Sequence, residues 1–153
     1  MKKRVITYGT FDLFHIGHLN LLKKLKAMGD ELIVGVSTDE FNEKKGKSTI
    51  ISHEERAEIV QSIKYVDLVI PEISWEQKID DIKRYDVSIF AMGSDWEGKF
   101  DFLSEFCEVK YLPRTDGIST TKIKSSFGYL NKSDVEGLKQ SIDLVASIID
   151  KLK

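Results

Sequence analysis

The stretch Tyr8-Gly9-Thr10-Phe11-Asp12-Leu13-Phe14-His15-Ile16-Gly17-His18-Leu19 carries an apolar run into a helical pattern and holds two of the three histidines in the chain. Arg4-Val5-Ile6-Thr7-Tyr8 reads as a strand with Gly9 at its exit. Leu19, Leu21, Leu22 and Leu25 form the apolar face of a helix that stops at Gly29. His15 and His18 therefore fall at the helix N-terminus, where unpaired backbone N–H groups and the helix dipole favour anions. Gly17 removes a Cβ between them, so the backbone can approach a phosphate closely. Two imidazoles aimed at one phosphorus would neutralise charge as it grows in a transition state. The bland alternative, polar residues in a turn, leaves unexplained why two of three histidines share one loop. Zinc fits poorly, because no further Cys, His or carboxylate spacing closes a coordination shell.

Outward from this segment, apolar runs at Val5–Tyr8, Leu32–Val36, Leu68–Ile70, Val87–Met92 and Val109–Leu112 alternate with amphipathic stretches. Ser52 with Glu55, and Ser74 with Gln77, have the capping-box spacing that starts a helix. Such βαβ alternation predicts an α/β fold: a single Rossmann-like domain with a five-stranded parallel sheet and helices on both faces. Ligands of such sheets bind beyond the carboxyl ends of the strands, where strand order reverses. A last capping box, from Asn131 to Glu136, opens an amphipathic helix with Leu138, Ile142, Val145, Ile149 and Leu152 at spacings of four and three. The expected organisation is a domain over 1–130 and a helical extension over 131–153.

Composition narrows the function classes. The 153 residues fit one domain, with 41% apolar and 31% charged residues typical of a soluble protein. A formal charge of −2 and a pI near 6.0 give no electrostatic footprint for nucleic acid. No apolar run approaches membrane-spanning length, and the N-terminal apolar segment is too short for a secretion signal. Cys107 is the sole cysteine, which excludes an intramolecular disulfide and points to the reducing cytoplasm; the residue reads as packing material.

Three further segments follow predicted strand ends. Asn42-Glu43-Lys44-Lys45-Gly46-Lys47-Ser48 reads as a cationic mobile loop, suited to a triphosphate or acceptor phosphate, or simply to solvent. Met92 to Phe100 brackets Asp95 and Trp96 with glycines, which suits either close approach to a ligand or a turn with a packed indole. In Pro113 to Ile123, Ser119 or Thr120 caps a helix whose free N–H groups, hydroxyls and Arg114 make a second phosphate-binding end.

These residues resemble the nucleotidyltransferase superfamily that carries H-x-G-H, here His15-Ile16-Gly17-His18, with its partner I-S-T-T-K-I at Ile118–Ile123. Within it the chain is similar to the cytidylyltransferase family, in the branch acting on glycerol 3-phosphate. That likeness rests on Ile6 to Asp12, Ser37 to Asn42, Tyr65 to Asp67 and Met92 to Phe102, and runs from Lys3 to Lys124. The resemblance implies CTP and sn-glycerol 3-phosphate as substrates, CDP-glycerol and pyrophosphate as products, Mg²⁺ as cofactor, supply of teichoic-acid or capsular polymer synthesis, and a homodimer.

By matching position, His15, His18, Lys45 and Arg114 would carry catalysis. Gly9, Thr10, Phe11, Gly17, Asp95, Gly117, Ile118, Ser119 and Thr120 would complete the nucleotide site. Lys47, Lys64 and Lys78 would serve the acceptor and Asp12 the metal. Lys64 stands where the family has Arg, keeping the charge but losing the bidentate fork, and the tail beyond Leu130 exceeds the usual length. The acceptor's phosphate is largely dianionic at neutral pH, its second pKa being about 6, so no catalytic base is required. The alternatives are a cytidylyltransferase for another phosphorylated alcohol such as ethanolamine phosphate, an adenylyltransferase of the same superfamily, and a nucleotide-binding module without turnover.

Overall fold

Side chains that leave a strand on alternate sides build two cores at once. A computed structural model describes residues 1–128 and 132–152 of the protein. In β1 (Arg4–Gly9) Val5 enters one core while Ile6 and Tyr8 enter the other. β2 (Glu31–Ser37) sends Leu32, Val34 and Val36 to the first side and Ile33 to the second. β4 (Ile89–Gly93) repeats the pattern with Ile89 and Ala91 against Phe90 and Met92. Strands buried on both faces read as continuous apolar runs, which is why they were visible in the sequence.

Leu22 and Leu25 of α1 (Ile16–Lys26) and Val60 of α3 (His53–Gln61) cover the first face. Ile82 of α4 (Gln77–Arg84) and Leu103 of a 3₁₀ turn at Asp101–Glu105 cover the second. With β3 (Leu68–Glu72) and β5 (Glu108–Leu112) at the edges, the five-stranded sheet is parallel throughout and ordered β3-β2-β1-β4-β5. The chain thus winds outward from β1 to β3, returns beside β1 as β4, and winds outward again. The reversal between β1 and β4 opens a crevice at the carboxyl ends of the strands.

Three elements depart from the sequence expectations. Pro71 lies inside β3, beyond the predicted end at Ile70; as an edge strand β3 tolerates a missing N–H. Asn42, Glu43 and Lys44 do not belong to a loop but close a short helix, α2 (Asp39–Lys44). Thr38 Oγ1 caps it by accepting the Phe41 N–H at 3.2 Å, and Phe41 and Asn42 are buried. α4 starts at Gln77, although the box bonds are present: Ser74 Oγ accepts the Gln77 N–H at 3.3 Å, and Gln77 Oε1 accepts the Ser74 N–H at 3.1 Å.

The chain divides into two compact units, Met1–Thr120 and Thr121–Lys153. α5 (Thr120–Ser126) starts at the boundary, and the second unit carries α6 (Lys132–Lys151). The Asn131 cap and the 130/131 boundary expected from sequence fall on residues outside those described.

Gly35 of β2 is paired in register with Tyr8, and a Cβ there would lie 2.3 Å from Tyr8 Cδ1. Tyr8 has little room to yield, because its hydroxyl donates to Asp81 Oδ2 at 2.8 Å and its ring lies on Phe90. Gly35→Ala is expected to destabilise the domain by about 1–3 kcal/mol through overpacking, read as a lowered urea midpoint with an unchanged m-value.

Candidate active site

α1 begins without the usual Ser, Thr, Asp or Asn cap and has no acidic residue in its first turn. Its histidines do that work for each other. His15, the extended N-cap, accepts the Gly17 N–H on Nδ1 at 3.0 Å, and His18 Nδ1 accepts the His15 N–H at 3.2 Å. Both Nδ1 atoms being acceptors, the neutral ring proton of each histidine sits on Nε2. The rings stack at 3.9 Å between centroids. Thr120 extends the chain of bonds: its hydroxyl donates to the Asp12 carbonyl at 3.0 Å, and His15 Nε2 lies 3.4 Å from Thr120 Oγ1 as the matching donor.

Burial lowers the pKa of His15. His18 is pushed down to about 4, first by burial and then by His15, against a smaller opposing pull from Asp12. The sequence suggested imidazoles that neutralise charge; the folded site holds them uncharged at neutral pH, as N–H donors. Gly17 is needed because a Cβ there would lie 2.7 Å from His15 Cε1.

The turn from β1 to α1 is strained. Phe11 and Leu13 adopt φ of 55° and 48°, which cost L-residues about 1–2 kcal/mol each. Burial of the Phe11 ring against His18 offsets this, as does Asp12, whose carboxylate accepts the Ile50 N–H at 2.9 Å and the Ile51 N–H at 3.0 Å. Arg56, fully buried, donates to the carbonyls of Thr10 (2.6 Å) and Ile51 (2.9 Å) and to Asp39 Oδ1 (2.8 Å). Gly9 ends β1 with its carbonyl on the Ser37 hydroxyl, and the Thr10 hydroxyl reaches Asn42 Oδ1 at 3.3 Å.

Beside this turn, the lysines gather around a carboxylate. Glu72, 3% exposed at the end of β3, accepts from Lys78 Nζ at 2.7 Å and from the Ser37 hydroxyl at 3.0 Å, and pairs with Lys45 Nζ at 3.7 Å. Lys78 is 1% exposed, its ammonium 4.4 Å from the Tyr8 ring centre and 4.9 Å from that of Trp75. Lys45 Nζ lies 4.3 Å from the Phe41 ring centre; burial holds its pKa below the ordinary lysine range against the attraction of Glu72. Lys45 lines a cleft of about 560 Å³ whose walls also include Phe41, Lys47, Trp75 and Trp96. Lys47 Nζ stands 5.9 Å from the Trp96 ring centre.

Arg114, after β5, forms an ion pair with Asp95, after β4, and both are partly exposed. Gly117 turns with φ of 81°, and Ile118 Cγ2 would touch a Cβ at Gly17 at 3.4 Å, which brings the 117–120 segment against the start of α1. Ser119 lies within that segment and Thr120 opens α5.

Lys64 is not brought to the acceptor side within the chain. α3 runs away from the strand carboxyl ends, so Lys64 stands before the amino end of β3, its Nζ 5.1 Å from the ring centre of Tyr65. Sequence reasoning missed Glu72 and Arg56. The signal for Glu72 was its position, a carboxylate at the carboxyl end of an apolar parallel strand.

For a metal, the described residues offer no group of three His, Cys, Asp or Glu side chains. Asp12 is a buried carboxylate close enough to His18 to pull on its proton affinity. That donor set fits a hard cation that arrives on phosphate oxygens and keeps its waters, as Mg²⁺ does, rather than a protein cage.

His18 binds a proton less readily folded than unfolded, so the unfolded chain holds more protons between pH 6.5 and about 4. Stability should therefore fall as pH drops through that window, and His18→Asn, which keeps a capping acceptor without titrating, should flatten this part of a stability–pH profile. Glu72→Gln leaves the buried Lys78 ammonium, and Lys45 at the cleft wall, without their counter-charge and should cost about 3–5 kcal/mol in chemical denaturation. Adding Lys78→Met should recover most of that loss.

Known proteins share the fold and much of the sequence of this chain. The solved lipopolysaccharide core biosynthesis protein of Thermoplasma volcanium matches the fold with a TM-score of 0.68 at 25% identity, over 76% of this chain and 100% of that one. A glycerol-3-phosphate cytidylyltransferase of Bacillus spizizenii is 60% identical over 128 residues, which cover 84% of this chain and 99% of the relative. One from Staphylococcus aureus is 61% identical over 122 residues, covering 80% and 92%. The model of the cytidylyltransferase-like family matches residues 6–126, from β1 through α5, with every histidine, lysine and hydroxyl of the site inside it. With four-fifths of its length matched in this way, the chain belongs to the cytidylyltransferase-like family.

Proposed function

We propose that the protein transfers a cytidylyl group from CTP to sn-glycerol 3-phosphate, giving CDP-glycerol and pyrophosphate. The observation that carries this reading is the pair of neutral imidazoles capping α1 at the switch point of the sheet. The acceptor is inferred from relatives of about 60% identity that are named for glycerol 3-phosphate. An oxygen of the acceptor's dianionic phosphate attacks the α-phosphorus of CTP in line. A new P–O bond forms as the bond to the β-phosphate oxygen breaks and pyrophosphate leaves, and no side chain needs to take a proton.

In this reading the Nε2–H groups of His15 and His18 donate to phosphate oxygens as charge builds on them, worth roughly 10² to 10³ in rate for each preorganised donor. The N–H groups at the start of α1, the Thr10 hydroxyl and the 117–120 segment hold the triphosphate. Arg114 and Asp95 flank the nucleotide. Lys45 serves the phosphates and Lys47, on the wall of the aromatic-walled cleft, a second anion, while Lys78, buried behind Trp75, supports the acceptor side from behind that wall. Mg²⁺ would be held by phosphate oxygens, water and Asp12, and when bound it offsets charge on the leaving pyrophosphate.

The enzyme would work as a homodimer in the cytoplasm, supplying an activated glycerol phosphate for teichoic-acid or capsular polymers. No helix among the described residues is long and apolar enough to cross a membrane.

With CTP and Mg²⁺, pyrophosphate release is expected with glycerol 3-phosphate and not with ethanolamine phosphate, choline phosphate or pantetheine phosphate, and the product mass should be that of CDP-glycerol. Turnover of another acceptor alone would overturn the assignment. His15→Ala and His18→Ala should each lower kcat by roughly 10² to 10³; near-wild-type turnover in both would remove the histidines from the mechanism.

A further inference from the structure

α6 lies beyond the segment the family model matches, which ends at residue 126. Val135, Leu138, Ile142, Val145 and Ile149 along it, and Leu152 just past its last residue, recur at alternating intervals of three and four, and each is at least half exposed. That is a heptad seam of three repeats, with Val135, Ile142 and Ile149 at a, and Leu138, Val145 and Leu152 at d. A 20-residue helix with this exposed stripe gains little stability from itself and needs an apolar face to lie against.

A membrane surface is a poor match. Lys132, Lys139 and Lys151 are outnumbered by Asp134, Glu136, Asp143 and Asp150, whereas an interfacial helix carries a basic polar face. The seam itself names the partner. β-branched residues at every a position, with leucine at two of the three d positions, favour two parallel strands. Charge agrees: in a parallel in-register pair, Asp134 at g stands across the seam from Lys139 at e of the other helix, twice by symmetry. Antiparallel pairing would set Lys139 against Ala146 and Ser141 against Ile148, with no opposite charges at either flank. Ile148, also at g, widens the apolar contact at the C-terminal end of the parallel pair.

We infer that α6 pairs with α6 of a second copy of this chain as a parallel two-stranded coiled coil. The inference stands on α6 alone and does not depend on the proposed reaction.

Full-length protein with Cys107→Ala, carrying one new cysteine at a time, tests it in a mild thiol–disulfide buffer. Ile142→Cys, at the middle of the seam, should form a disulfide-linked dimer at least tenfold faster than Gln140→Cys, on the outer face. Retained secondary structure and turnover in both variants would show that the chain is folded. Equal rates at the two positions would overturn the inference, as would be expected if α6 instead lies against its own chain. Mixed chains bearing Val135→Cys and Leu152→Cys should link like to like; predominant linkage of one kind to the other would mean antiparallel helices and would also overturn it.

Discussion

Two imidazole nitrogens accept backbone N–H bonds at the start of α1, and the carboxyl edge of the sheet is organised around that choice. A helix start has four N–H groups without partners inside the helix. A serine or aspartate cap would satisfy one of them and leave nothing further to act with. A histidine cap uses one ring nitrogen for the backbone and keeps the other, with its proton, as a donor, which for His15 meets the Thr120 hydroxyl in the unliganded protein. Protonating the ring would place an N–H against an N–H and break the cap. The bond that begins the helix therefore also sets the tautomer, favours the neutral form and aims the donor, which is why Gly17 must leave room for the His15 ring.

That arrangement holds only if the turn before it is fixed. Phe11 and Leu13 sit at positive φ, a conformation the sequence around them does not favour. It persists because the turn is tied from three directions. Phe11 is buried, Asp12 binds two backbone amides of the 50–51 segment, and Arg56 reaches from α3 to the carbonyls at Thr10 and Ile51. Strain of this kind at a ligand-binding edge is consistent with preorganisation, since donors already held in place need no reorganisation as charge develops.

What the sequence made legible, and what it hid, divides along the same line. The strands, the sheet class and the helix start at His15 were readable because they depend on local period and on residues that are neighbours in the chain. The Ser74–Gln77 bonds were readable for the same reason. Glu72 and Arg56 were not, since their partners lie up to 46 residues away and a charged side chain in a pattern gives no sign of being buried. The Asn42–Lys44 end of α2 reads as loop in the sequence because the helix cap, Thr38, directly follows a strand and the lysines here resemble a solvated segment. Lys64 was placed by family position, whereas the direction of α3 carries it to the other end of the sheet.

The lysine cluster shows why charge has to be counted over the group rather than by pairs. Glu72 alone cannot neutralise both Lys45 and Lys78, so the three side chains together carry a net positive charge at the cleft. The two bonds are unequal: Lys78 lies at 2.7 Å and is enclosed by aromatic rings, while Lys45 lies at 3.7 Å, at the cleft wall. An incoming phosphate oxygen that takes over Lys45 leaves Glu72 still paired with Lys78 and bonded to Ser37, so no buried carboxylate is stranded. Had a single lysine faced Glu72, binding a phosphate would have meant breaking the pair and leaving a bare charge inside the protein. The second lysine removes that cost, and in the unliganded protein Glu72 holds Lys45 folded against Phe41 and Trp75, close to where a phosphate would need it.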